Sequence, residues 1–129
     1  MKLYSISHAH HFPLFALLLA VWSLGFMPAA ANLYLTEFLA ENTDGLRDSD
    51  GEFSDWIELF NSGPLPVNLE GYFLTDDATA LTKWSFPALS LEPGQFLLVF
   101  ASEKNRREAA AELHTNFKID KDGEYLGLI

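Results

Sequence analysis

The stretch DGEFSDWIELFNSG, from Asp50 to Gly63, carries the pattern on which the reading of the fold turns. Successive side chains of an extended strand point to opposite faces. Phe53, Asp55, Ile57 and Leu59 therefore fall on one face, and Ser54, Trp56, Glu58 and Phe60 on the other. The alternation is imperfect, but it predicts a strand over 53–60. Asn61-Ser62-Gly63-Pro64 ends it, because these residue types either bond their own backbone or preset turn dihedrals.

Working outward, the same grammar repeats. Leu33 to Ala40 reads as a strand before the decisive stretch, and Val67 to Leu69 and Tyr72 to Thr75 as two short strands around Gly71. Trp84 to Phe86 precedes Pro87, and Glu92-Pro93-Gly94 turns the chain into Gln95 to Ala101, expected as a nearly continuous buried strand. Asp120-Lys121-Asp122-Gly123 is a tight turn into a last strand, Glu124 to Ile129. Many short strands separated by Gly/Pro turns predict an all-β sandwich or barrel. Trp56, Trp84, Phe86, Phe96, Phe100, Phe117 and Tyr125 lie on these strands and are expected in the core. Ser102 to Leu113 breaks the pattern and is expected as a loop with one or two helical turns. The charges at Glu103, Lys104, Arg106 and Arg107 are expected to form a solvated face.

The chain of 129 residues carries 18 acidic and eight basic side chains, a net charge of −10. That balance excludes a partner gripped through phosphates, which needs clustered Lys and Arg. The length permits one domain, and the absence of cysteine removes disulfides, thiolate nucleophiles and Cys-based metal sites. Lys2 precedes an apolar run from Phe12 to Met27 that ends in Pro28-Ala29-Ala30-Ala31. A positive start, an apolar middle and small terminal residues make a cleavable secretory signal peptide over residues 1–31, cut after Ala31. The competing reading, a retained membrane anchor, wants about 20 apolar residues; this run is shorter and contains Pro13. No transmembrane segment is expected after cleavage. His8, His10 and His11 would leave with the leader. What remains is a domain over 32–129, 98 residues with seven basic and 18 acidic side chains. It is expected outside the cytoplasm, either released or held at the envelope.

The densest acidic stretch, Asp44, Asp48, Asp50, Glu52 and Asp55, is interleaved with Gly45 and Gly51. Calcium takes six to eight oxygen ligands, so this loop is the candidate metal site, set against a solvated turn whose Asp and Gly residues serve backbone geometry. An EF-hand register fails, placing Leu46 where an Asp belongs and Ile57 where the bidentate Glu belongs. Asp76-Asp77 and Asp120/Asp122 are weaker candidates of the same kind. No other cofactor is expected. Asp55 and Glu58 point to opposite faces and cannot act as an acid–base pair. Asp55 is instead expected to accept hydrogen bonds that fix the loop before its strand. His114 is the one histidine beyond the leader. No Gly-x-Ser-x-Gly elbow presents a serine to it, so it is expected to be structural or superficial, and no residue is assigned a catalytic role.

In order along the chain, YLTEFLAEN (34–42), DGEFSDWIELFNSG (50–63), VNLEGYFLTDD (67–77), KWSFP (83–87), LEPGQFLLVFAS (91–102) and LHTNFKIDKDGEYLGL (113–128) resemble the lamin-tail domain. The resemblance spans Leu33 to Ile129 and is closest to versions found in large secreted bacterial proteins. It implies an immunoglobulin-like β-sandwich, often joined to further extracellular or spore-coat kinase-like domains. It also implies further strands beyond Ile129, in keeping with a chain that stops inside a strand with no polar terminator. The expected function is an exported, non-catalytic binding, adhesion or spacer module within a larger protein, with a protein or surface-glycan partner. The alternatives are an N-terminal accessory domain of a secreted enzyme and a calcium-stabilised extracellular module. The chromatin association of nuclear lamin tails is not carried over, given the charge and the leader.

Overall fold

A computed structural model describes residues 32–129. The expected leader and its histidines lie outside the described residues. Within them the chain is all-β, with nine strands and no helix.

The decisive stretch forms β2, Asp55–Asn61, at the middle of a four-stranded sheet. It pairs antiparallel with β1, Leu33–Leu39, on one side and with β7, Phe96–Ala101, on the other. Beyond β7 lies β8, Leu113–His114, which runs parallel to it. A second sheet of two strands joins β3, Val67–Asn68, to β6, Ser90–Leu91. A third sets β4, Phe73–Thr75, between β5, Trp84–Ser85, and β9, Gly127–Leu128.

Alternation explains where the core sits. Ile57 and Leu59 of β2 and Val99 and Ala101 of β7 point inward. There they meet Val67, Leu74 and Trp84 from the other two sheets, together with Leu69, Phe86, Leu113, Phe117 and Ile119. The connections follow turn chemistry. At Glu92-Pro93-Gly94-Gln95 the Gln95 amide donates to the Glu92 carbonyl at 3.1 Å, with Pro93 presetting φ and Gly94 at φ 75°. Only a residue without Cβ sits comfortably at that third position. After β2, Asn61 is fully buried, and its amide donates to the carbonyls of Leu65 at 2.9 Å and Leu91 at 2.8 Å. Its Oδ1 accepts the Gly63 amide at 2.9 Å.

Several expectations are corrected. Phe96 is 59% exposed and Tyr125 41%, and Trp56 is half-buried, so these three aromatics lie outside the core that holds Trp84, Phe86 and Phe117; Phe100 is buried too, but on the other face of β7, against His114. The strand at 95–101 is buried only over its second half. Residues 102–112 hold no helical turn: the chain runs irregularly, with one tight turn closed by the Ala111 amide on the Glu108 carbonyl. The reason is β8, a two-residue strand too short to show in the pattern. Its parallel pairing draws the preceding segment across the sheet.

Candidate functional site

Two loops at one end of the four-stranded sheet carry most of the interacting polar groups: the acidic loop before β2 and the basic segment between β7 and β8. In the first, the Asn42 amide nitrogen Nδ2 donates to the carbonyls of Leu46 at 2.7 Å and Ser54 at 2.9 Å, while Oδ1 accepts the Gly45 amide at 2.9 Å. Asp55 Oδ1 accepts the Asn42 backbone amide at 3.0 Å, which is the loop-fixing role expected of it. Asp48, buried at 5% exposure, is the loop's internal acceptor. Its Oδ1 takes the amides of Asp50 and Glu52 at 3.0 Å each, and its Oδ2 takes the Ser54 hydroxyl at 2.8 Å. Arg47 folds back onto the Gly51 carbonyl at 2.6 Å and lies 3.7 Å above the Phe53 ring.

The second loop supplies the cations. Glu103 and Asn105 adopt left-handed backbone, φ 65° and 50°, a conformation unusual for residues other than glycine. These reversals bracket Lys104. Its ammonium lies 2.5 Å from Asp48 Oδ2, 2.7 Å from Asp50 Oδ2 and 2.9 Å from Glu52 Oε2. Arg106 grips Asp50 through two guanidinium nitrogens at 3.2 and 2.7 Å. Glu112 returns the contact, accepting the Ser49 amide at 2.6 Å. Of the charges expected to form a solvated face, Lys104 and Arg106 thus clamp one loop to the other, while Glu103 and Arg107 stand exposed as expected.

The electrostatics follow from this geometry. Burial would push the Asp48 carboxyl up, but hydrogen bonds from Lys104, the Glu52 amide and Ser54 outweigh it and hold the group well below the carboxylate range. Arg106 and then Lys104 lower Asp50, and Ser49 lowers Glu112. Burial opposes the Lys104 charge, yet Asp48, Asp50 and Glu52 raise its pKa further.

The calcium candidates are thereby divided. Asp48, Asp50 and Glu52 converge on the Lys104 ammonium, Asp55 bonds Asn42, and Asp44 stands exposed. Among the described residues no group of three or more His, Asp or Glu side chains is arranged to hold a metal ion. A cation entering this loop would have to displace Lys104.

Beneath the clamp lies a contact that no sequence motif announces. Ser102 Oγ is 2.8 Å from His114 Nδ1, and Glu112 Oε2 is 3.9 Å from His114 Nε2. Serine, histidine and carboxylate are the elements of a nucleophile triad. Here, however, the histidine is 0% and the serine 8% exposed. The imidazole is stacked against Phe100 at 5.3 Å. Ser102 Oγ also accepts the Lys104 amide at 3.4 Å, and on the far side of the ring, among the described residues, Nε2 is buried with no hydrogen-bond partner. Burial first, then Lys104 and Arg106, lower the His114 pKa against the opposing pull of Asp48 and Glu112, so the ring is neutral. The adjacent hollow, lined by Glu52, Phe53, Ser54, Asp55, Ala101, Ser102 and Lys118, measures about 210 Å³. That is below the roughly 300 Å³ at which small-molecule sites begin. Of the two places expected for His114, structural or superficial, the structure shows the buried one.

A family model described as Lamin Tail Domain matches residues 27–129, most of the chain and all nine strands. The chain belongs to the lamin tail domain family. Lamin tail domains are immunoglobulin-like modules without catalytic chemistry, consistent with the sheets and the sealed Ser102–His114 pair. The match begins inside the expected leader, five residues before Asn32. No curated protein and no solved structure matches the chain significantly.

Proposed function

We propose that this lamin tail domain is an exported binding or spacer module of a larger secreted or cell-surface protein. The observation that carries the reading is the clamp: the polar groups that could do chemistry are consumed in fixing two loops to one end of a sheet. A module built in this way presents rigid surfaces rather than a reactive cleft. The leader pattern from Lys2 to Ala31 supports export. A place beside a catalytic domain in a longer secreted enzyme is compatible with the same surfaces, and Lys104 holds the carboxylates that calcium would need.

The test is the mass and location of the product when the gene is expressed with its own leader in a bacterial host. The expected result is a protein outside the cytoplasm that begins at Asn32. Retention in the cytoplasm with residues 1–31 intact overturns the export reading.

A further inference from the structure

The outer face of the sheet formed by β1, β2 and β7 is ordered in rows fixed by strand register. Tyr34, Phe60 and Phe96 stand side by side across the three strands. Glu37, Glu58 and Leu98 form the next row, and Leu39, Trp56 and Phe100 the third. Tyr34 is 53% and Phe96 59% exposed, and Phe96 stacks on Phe60 with ring centroids 4.4 Å apart. The irregularity at Thr36 sets Glu37, not Thr36, opposite Glu58.

Two carboxylates directly opposite each other on adjacent strands repel, and among the described residues this pair has no cation of its own. Among the described residues the only polar contact to either carboxylate is the Thr36 hydroxyl on Glu58 Oε1 at 2.8 Å. None of the three strands contains Lys or Arg. The seven basic residues of 32–129 are all engaged elsewhere: Arg47 on Gly51, Lys83 on Asp76, Lys104 and Arg106 in the clamp, Arg107 on Ser85, Lys118 near Glu103 and Lys121 on Glu41. The sheet therefore keeps a repelling acidic pair between the row of Tyr34, Phe60 and Phe96 and a second row in which half-buried Trp56 stands between Leu39 and Phe100, the last buried against His114.

We propose that this face, Tyr34, Glu37, Trp56, Glu58, Phe60 and Phe96, is the docking surface for a basic segment of a protein partner. Resting on the binding-module reading, this names the partner's chemistry. A guanidinium or ammonium entering between the rows meets two carboxylates and ring faces together, and aromatic faces attract cations electrostatically. The charge of the face excludes an acidic partner and disfavours a second copy of this chain, which would bring Glu37 and Glu58 against their own kind.

The test uses the 129-residue chain and labelled deca-arginine in about 0.15 M salt, where charges beyond roughly 8 Å are screened. E37Q/E58Q is compared with E70Q/E108Q, which removes two exposed carboxylates away from this face, and melting is recorded for every variant. Deca-arginine should bind while deca-glutamate does not. E37Q/E58Q should weaken binding at least about tenfold, which is a loss of about 1.4 kcal/mol, while E70Q/E108Q stays within about twofold. E37Q/E58Q should also melt higher than the parent, because the repulsion is gone; a merely structural pair would not lose binding and gain stability together. Equal weakening by both pairs overturns the proposal in favour of bulk charge attraction. Absence of binding by the folded chain overturns it, and so does self-association through this face. None of these results bears on export, which is read from the mass and location of the secreted product.

Discussion

Lys104 Nζ lies 2.5 Å from Asp48 Oδ2 across 56 residues of chain, and both side chains are largely withdrawn from water. Removing one partner of such a pair strands the other charge, which for buried pairs costs about 3–5 kcal/mol. Lys104→Met is therefore expected to destabilise the chain by about 3 kcal/mol, read as a lower urea midpoint at unchanged slope. Lys104→Met combined with Asp48→Asn should recover part of the loss, since the stranded carboxylate is then neutral.

Calcium and a chelator should leave the melting midpoint of the parent chain unchanged, because the lysine already occupies the position among Asp48, Asp50 and Glu52. A calcium-dependent rise would show that the ion displaces Lys104. At a free-ion concentration about 100 times Kd that rise would correspond to about 2.7 kcal/mol.

Stability should fall with acid in two stages. Unfolded histidine protonates near pH 6.5, whereas folded His114 holds out to lower pH because burial, Lys104 and Arg106 disfavour the imidazolium. Below about pH 6.5 the unfolded state therefore binds more protons, and stability present above that pH is lost as the pH falls toward the folded value. Asp48, Asp50 and Glu112 are all lowered in the fold, so their contribution is present above about pH 4 and is lost below it. Urea midpoints between pH 8 and 3 should be flat, then decline from about 6.5, then drop steeply below about 4. His114→Gln should abolish the first stage and leave the second.

Trp84 and Trp56 should separate by stability. Trp84, 1% exposed and edge-on to Phe86 at 4.9 Å, is the core tryptophan. Trp84→Ala is expected to cost about 3–5 kcal/mol, and Trp56→Ala less than half of that. Trp84→Phe should be tolerated far better than Trp84→Ala, because the buried indole nitrogen has no partner to lose.

Asn61→Ala should be as severe as a core truncation despite removing only a small polar group. The side chain satisfies two carbonyls and one amide at a site of 0% exposure. Stranded buried polar groups cost about 1–3 kcal/mol each. A loss of about 2–4 kcal/mol in urea unfolding is expected. Asn61→Asp should not rescue it, since a carboxylate cannot donate to the carbonyls of Leu65 and Leu91.

The strands legible in sequence are the long alternating ones, such as Asp55–Asn61, and the short apolar ones at Val67–Asn68, Phe73–Thr75 and Trp84–Ser85 that Gly and Pro bracket; the legible turns are those set by Pro93-Gly94 and Asp120 to Gly123. Ser90–Leu91 and Leu113–His114 are two-residue strands with neither a period nor an apolar run of their own, and the absence of a helix at 102–112 follows from the second of them. Phe96 and Trp56 carry the composition of core residues. Their exposure depends on which sheet face is covered, a tertiary fact. The acidic loop was visible as an acidic loop, but its cation was not, because Lys104 reaches it across more than fifty residues and no local spacing encodes that meeting.

The clamp also constrains the order of folding. Its contacts close loops of 52 to 63 residues, between Glu52 and Lys104 and between Ser49 and Glu112, and such closures cost entropy before they return anything. The sheet that carries both loops must be paired first. Residues 44–52 and 103–112 should therefore gain protection from amide exchange last during refolding, and partial opening of the native protein should expose them to proteases before any strand of the core.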